Sequence, residues 1–180
     1  MYGEWAGGRP VVGVLHPGKM GAAIGSALKP VASAVVWAAA GRTYATSKRA
    51  ELADLVGVPD VAAVARRCDV IISICPPDAA LSVAREVAAG LAGRSGPPPL
   101  YLDANTVSPD VVRQVVEVLG DAATVLDGLL VGPPAWQPGT TTLWLAGPGA
   151  ADVSGLFRGS PFEARVLDGG VGTASNVTDT

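Results

Sequence analysis

The stretch from Val11 to Leu28, VVGVLHPGKMGAAIGSAL, decides how this chain is read. Val11 to Leu15 is short and rich in β-branched residues, which predicts a fully buried strand. Gly18 to Leu28 is rich in Ala and predicts a helix, which must stop at Pro30 because proline cannot continue it. Between them lies His16-Pro17-Gly18-Lys19-Met20-Gly21. A strand, a glycine-bearing turn and a helix start together present free backbone N–H groups and a helix dipole to a pyrophosphate. In the G-x-G-x-x-G pattern the second glycine lets the diphosphate approach, and the third lets the helix pack on the strand. Gly18 and Gly21 occupy those two places, whereas His16 stands where the first glycine belongs. The competing account is an ordinary strand-to-helix turn in which glycine serves only tight packing. His16, the sole histidine, reads as a loop residue beside the ligand rather than as an acid–base catalyst.

The same alternation continues outward, and it is the signature of βαβ units and a parallel sheet. Strands are predicted at Ala34 to Trp37, Asp69 to Ile74, Leu100 to Asp103, Thr124 to Asp127, Thr141 to Ala146 and Ala164 to Leu167. Helices are predicted at Ser47 to Val56, Val61 to Arg67, Ala79 to Ala92, Asp110 to Leu119 and Ala150 to Phe157. Ser108-Pro109 supplies an N-cap and a first-turn proline to the fourth of these. The Gly/Pro-rich stretch Gly132 to Gly139 reads as a loop, because strand-like sequence resumes at once. The expected fold class is α/β, a Rossmann-type doubly wound, mostly parallel sheet with flanking helices.

Composition agrees. Hydrophobic residues make up 49% of the 180 and charged residues 16%, enough for one domain to bury a core. Aromatic residues are only 5%, so Ala and Val must supply close packing. A net charge of -3 argues against a nucleic-acid partner, which needs a basic surface. The longest mostly apolar run, Val31 to Ala40, is half the roughly 20 residues a membrane span requires, so no membrane partner is expected. Residues 1–10 lack the pattern of a signal peptide and read as a disordered leader. Cys68 and Cys75 read as buried thiols in a reducing cytoplasm, and no metal set is visible.

The ribose supplies a second criterion. A site that prefers NAD places Asp or Glu about 20 residues beyond the loop, at the end of the second strand. Here that region is Ala38-Ala39-Ala40-Gly41-Arg42-Thr43, and the first carboxylate after the loop is Glu51. Arg42 and Thr43, with Ser47, Lys48 and Arg49 nearby, would suit a 2′-phosphate. A solvated basic helix start is the alternative. NADP is favoured over NAD on this ground. The missing carboxylate also weighs against a methyltransferase using the loop for S-adenosylmethionine.

Four segments together carry a family resemblance. They are Gly13 to Gly21, Asp69 to Pro77 (DVIISICPP), Asp103-Ala104-Asn105-Thr106 followed by Ser108-Pro109, and Asp127-Gly128 followed by Gly132-Pro133-Pro134 and Gly139-Thr140. In order and spacing the chain resembles the NAD(P)-binding domain of the superfamily of 6-phosphogluconate dehydrogenase, 3-hydroxyisobutyrate dehydrogenase and the imine reductases. It is most similar to members of uncharacterised activity with a phosphogluconate-dehydrogenase-like C-terminal domain. The resemblance implies that Cys75, Pro76, Pro77, Asn105 and Thr106 lie along the cofactor with His16 to Gly21. It places Gly132, Pro133 and Pro134 on the side of a small-molecule substrate. It further implies hydride transfer between nicotinamide and a small hydroxy acid or imine.

The resemblance also exposes two departures. The family's acid–base Lys on the helix after the dinucleotide domain aligns with Thr178, when Gly172-Thr173-Ala174-Ser175 is set on the start of that motif. An all-helical C-terminal domain, which in full-length relatives closes the cleft and forms a homodimer, is expected to be missing. The implied division is a leader at 1–10, an NAD(P)-binding domain at 11–168 and a truncated start of the interdomain helix at 169–180. Two functions follow as expectations: the NADP-binding domain of an oxidoreductase, or a non-catalytic dinucleotide-binding module or degenerate fragment.

Overall fold

Every residue of Val70–Ser73 is buried, and an apolar stretch this short satisfies its backbone only between two other strands. It lies at the centre of the sheet. The computed structural model describes residue 5 and residues 8–175. Along the chain run β1 (Val11–Leu15), α1 (Lys19–Leu28), β2 (Ala34–Ala38), α2 (Tyr44–Leu52), β3 (Val56–Val58), α3 (Val61–Arg67), β4 (Val70–Ser73), α4 (Ala80–Leu91), β5 (Leu100–Asp103), α5 (Pro109–Leu119), β6 (Thr124–Val131), β7 (Thr141–Ala146), α6 (Ala150–Leu156) and β8 (Phe162–Val166). The eight strands form one sheet in the order β3-β2-β1-β4-β5-β6-β7-β8. All neighbours are parallel except β6 and β7, which run antiparallel. This is the doubly wound, Rossmann-type sheet that the alternation of elements predicts.

Successive strand residues point to opposite faces, so each central strand feeds two cores. Val12, Val14, Val70, Ile72, Leu100 and Leu102 join residues of α1, α2 and α6 on one face. Leu15, Ile71, Tyr101 and Val125 join residues of α3, α4 and α5 on the other. The small residues let backbones approach closely. A Cβ on Gly90 of α4 would lie 2.8 Å from the Ala62 Cα of α3, and one on Gly13 would lie 2.6 Å from the Val64 side chain.

Two predicted elements shift most, and the strand β3 was not predicted. The helix expected at Ser47 to Val56 is Tyr44–Leu52, because Thr43 caps it by accepting the Thr46 N–H at 3.2 Å. Of its expected last turn, residues 53–55 lie outside any helix and Val56 opens the unpredicted edge strand β3, paired with β2. Four further residues extend β6 to Val131, where they pair with β7. Cys68 is buried, whereas Cys75 is only half-buried.

Of the leader expected over 1–10, residues 1–4, 6 and 7 lie outside the described residues. Trp5 packs on the first core, the Arg9 guanidinium donates to the Pro30 and Val31 carbonyls, and the Pro10 carbonyl accepts the Ser33 N–H. Residues 169–175 run in bends and turns, Ser175 bonding to Asp127 of β6, and 176–180, Thr178 included, lie outside the described residues. Among the described residues no helix is long and apolar enough to cross a membrane. Nor does any group of His, Cys, Asp and Glu there suit a metal ion.

Candidate functional site

The strand order reverses between β1 and β4: β2 and β3 lie to one side of β1, and β5 onward lies beyond β4. Loops leaving the carboxyl ends of β1 and β4 must diverge there, and the crevice they open is the usual ligand position in such sheets. A cleft of about 320 Å³ occupies that position, lined by His16, Gly18, Lys19, Met20, Gly21, Thr46, Ile74, Cys75 and Pro76. The turn after β1, the start of α1, the first turn of α2 and the segment after β4 all contribute.

Each loop residue has a distinct local role. His16 has φ +59°, the left-handed conformation that glycine adopts at little cost, so the first fingerprint position keeps its backbone shape without its glycine. Gly18 has an ordinary extended conformation, and a Cβ there would meet nothing within 4 Å. Its missing side chain therefore leaves space over the α1 N-terminus, where no side chain caps the helix. Gly21 is different: a Cβ would sit 3.1 Å from the His16 carbonyl oxygen, so this glycine brings helix and loop together. Pro17 is buried and does not line the cleft.

Arg42 and Thr43 follow the carboxyl end of β2 and do not line the cleft. The Arg42 Nε is buried without a hydrogen-bond partner among the described residues. Burial, and after it the nearby Arg42 charge, hold the His16 imidazole below its ordinary range, while Glu86 opposes this weakly. A neutral imidazole at pH 7 follows. Thr46 is a lining residue that sequence reading missed. The spacing was available, since a Thr43 N-cap places residue 46 in the first turn. Ser47 does not line the cleft.

The opposite rim is held by a buried polar cluster. Asn105 Oδ1 accepts the Cys75 N–H at 2.6 Å, and Asn105 Nδ2 donates to Ser73 Oγ at 3.1 Å. The Asn105 N–H in turn donates to Asp103 Oδ1 at 3.0 Å. The side chain of Asn105 thus ties the segment after β5 to the segment after β4. Burial pushes the Cys75 thiol up, with the Asp103 and Asp78 charges adding to this, so the group is a thiol at neutral pH. Thr106 and Pro77 are exposed on the outside of this rim.

Gly132, Pro133 and Pro134 do not line the cleft. They lie in the loop between β6 and β7, where the Thr141 hydroxyl donates to the Pro133 carbonyl. Gly132 has φ +128°, and a Cβ would lie 2.3 Å from the Thr140 carbonyl oxygen, so the turn excludes any other residue.

No family model and no curated protein matches the chain by sequence. Solved structures match its fold. A conserved protein of unknown function, described as similar to 3-hydroxyacid dehydrogenases, superposes with TM-score 0.79 at 23% identity, over 93% of this chain and 61% of that one. Mycobacterium tuberculosis 3-hydroxyisobutyrate dehydrogenase, solved with L-serine, gives 0.73 at 18%, over 94% of this chain and 58% of that one. Myxococcus stipitatus imine reductase, solved with NADP+, gives 0.71 at 23%, over 94% and 59%. A variant of that reductase was solved with NAD+. The chain thus spans about three-fifths of the length of these proteins. Over that span it has the Rossmann-type fold of the 3-hydroxyisobutyrate dehydrogenase-like proteins and imine reductases, as the four sequence segments lead one to expect.

Proposed function

We propose that this chain is the dinucleotide-binding domain of an oxidoreductase, with NADP preferred to NAD and a small hydroxy acid or imine as the substrate class. The observation that carries the reading is the cleft at the strand-order reversal, which joins an open Gly18 to the α1 N-terminus. Neighbours of the same fold were solved with NADP+ and with NAD+.

In this arrangement the N–H groups of Lys19, Met20 and Gly21 would receive the diphosphate, helped by the dipole of α1. Arg42 would meet the 2′-phosphate, giving its buried Nε an acceptor, with Thr43 and Thr46 beside it. Cys75 and Pro76, set by Asn105, would form the opposite rim, and Thr106 would lie toward the nicotinamide. The nicotinamide supplies the hydride chemistry when bound. Gly132, Pro133 and Pro134 would serve the substrate side. In the domain division that accompanies this reading, residues 11–168 bind the dinucleotide and 169–180 lead out of the domain.

Titration with NADPH, NADH and S-adenosylmethionine tests the reading. NADPH is expected to bind best. Arg42→Ala is expected to weaken NADPH about 10- to 100-fold while changing NADH little, as loss of a charge-assisted bond predicts. Absence of an NADPH signal at millimolar concentration would overturn the reading. Turnover is assayed separately with carbonyl and imine panels. Tight NADPH binding without oxidation would favour the non-catalytic module.

A further inference from the structure

Two carboxyl groups lie side by side inside the domain. Asp103 and Asp127 are register partners on the parallel strands β5 and β6, so they leave the sheet on the same face. They are 1% and 0% exposed. Among the described residues no Lys or Arg is paired with either. Asp103 Oδ1 accepts the Asn105 N–H, and Asp127 Oδ2 accepts both the N–H and the hydroxyl of Ser175, at 2.9 and 3.1 Å. The remaining oxygens, Asp103 Oδ2 and Asp127 Oδ1, are buried with no partner among the described residues. Two acceptor-only groups at this depth conflict, because each charge raises the cost of the other and neither can donate. One proton resolves the conflict by turning one acceptor into a donor.

We infer that Asp103 and Asp127 act as one proton-binding pair, and that Asp103 is a positioning residue which sets the dinucleotide rim through Asn105. Its role at the rim rests on the dinucleotide reading; its proton does not. On one side the pair reaches Cys75 through Asn105, and on the other it holds Ser175. The titratable groups facing Asp103 are the Cys75 thiol, the Tyr101 phenol and Asp127. The helices covering this face, α3, α4 and α5, bring apolar residues to it, and Asp110 at the α5 N-terminus is exposed and paired with Arg113.

Burial lifts the Asp103 carboxyl from its ordinary 3.8 to about 6, against the lowering effect of Asn105 and with a further push from Asp127. The folded chain therefore binds more protons than the unfolded chain between those values. The Asp103 contribution to stability is fully present below pH 4 and is lost as pH rises through 6.

The test is thermal melting from pH 4.5 to 8 for the wild type, Asp103→Asn and Asp127→Asn, followed by NADPH titration across the same range. Asp103→Asn keeps the acceptor for Asn105 and replaces the proton by an amide donor. It is expected to flatten the pH profile and to melt about 5 °C or more above wild type at pH 8. Asp127→Asn, which removes the neighbouring charge but leaves Asp103 buried, should lessen the slope without abolishing it. Profiles parallel to wild type in both variants overturn the shared proton. Asp103→Ala, which removes the acceptor, is expected to weaken NADPH about tenfold, with affinity restored in Asp103→Asn. Unchanged affinity in a folded Asp103→Ala overturns the positioning role. Should the alanine variant not fold, Asn105→Ala, which breaks the same link one residue on, takes its place, and unchanged NADPH affinity there does the same. Failure of the wild type to bind NADPH at any pH defeats the dinucleotide reading and the rim role, while the melting profiles still decide the pair.

Discussion

At the scale of single residues, the loop after β1 separates two uses of glycine. Gly18 provides room, since its conformation is open to any residue and its Cβ position is empty. Gly21 provides contact, since its Cβ position is taken by the His16 carbonyl and Val14. The first fingerprint position needs φ +59° but holds His16, which pays a steric penalty that glycine would not. Replacement by glycine is therefore expected to stabilise the fold by about 0.5–1 kcal/mol and to leave NADPH affinity within a few-fold. Chemical denaturation and titration of His16→Gly check this. A loss of affinity beyond tenfold would mean that the imidazole itself holds the ligand.

At the scale of elements, misreadings cluster where a tertiary contact outweighs local sequence. Tyr44 to Thr46 has little helical signal of its own, yet Thr43 supplies the cap that starts α2 three residues early. Val56 reads as the end of a helix, but an open edge of β2 recruits Val56–Val58 into the sheet. The buried strands and the capped helix α5 needed no such help, because periodicity and Ser108-Pro109 are local properties. The contact between α3 and α4 is set by Gly90, whose Cβ would meet the Ala62 backbone at 2.8 Å and Ala65 at 2.9 Å. Helix backbone cannot yield as a flexible side chain can. Gly90→Ala is expected to destabilise by about 1–3 kcal/mol despite its better helix propensity. A midpoint in urea equal to or above that of the wild type would show that the two helices can separate without loss.

At the scale of the whole molecule, the sheet order determines both stability and site. The central strands β4 and β5 are wholly buried and paired on both sides. The edges are different: β3 has only three residues, and β8 carries Glu163 and Arg165, which pair with each other at 2.6 Å on an exposed surface. Hydrogen exchange is expected to show β4 and β5 amides opening only with global unfolding, and β3 and β8 opening locally at lower free energy. Equal protection in edge and centre would contradict this.

By itself the sequence determined the alternation of strands and helices, the glycine loop and the lack of a carboxylate after β2. These depend on near neighbours in the chain, through side-chain period, capping and turn chemistry. The family resemblance led one to expect Cys75 beside the loop after β1, but only the tertiary structure brought Ile74 and Thr46 into the same cleft, because the strand order, not the spacing, makes β1 and β4 neighbours. The tertiary structure also left Gly132 to Pro134 outside that cleft and set Asp103 against Asp127. No local pattern predicts such pairings. They arise when distant segments share one sheet face and the water between them is excluded.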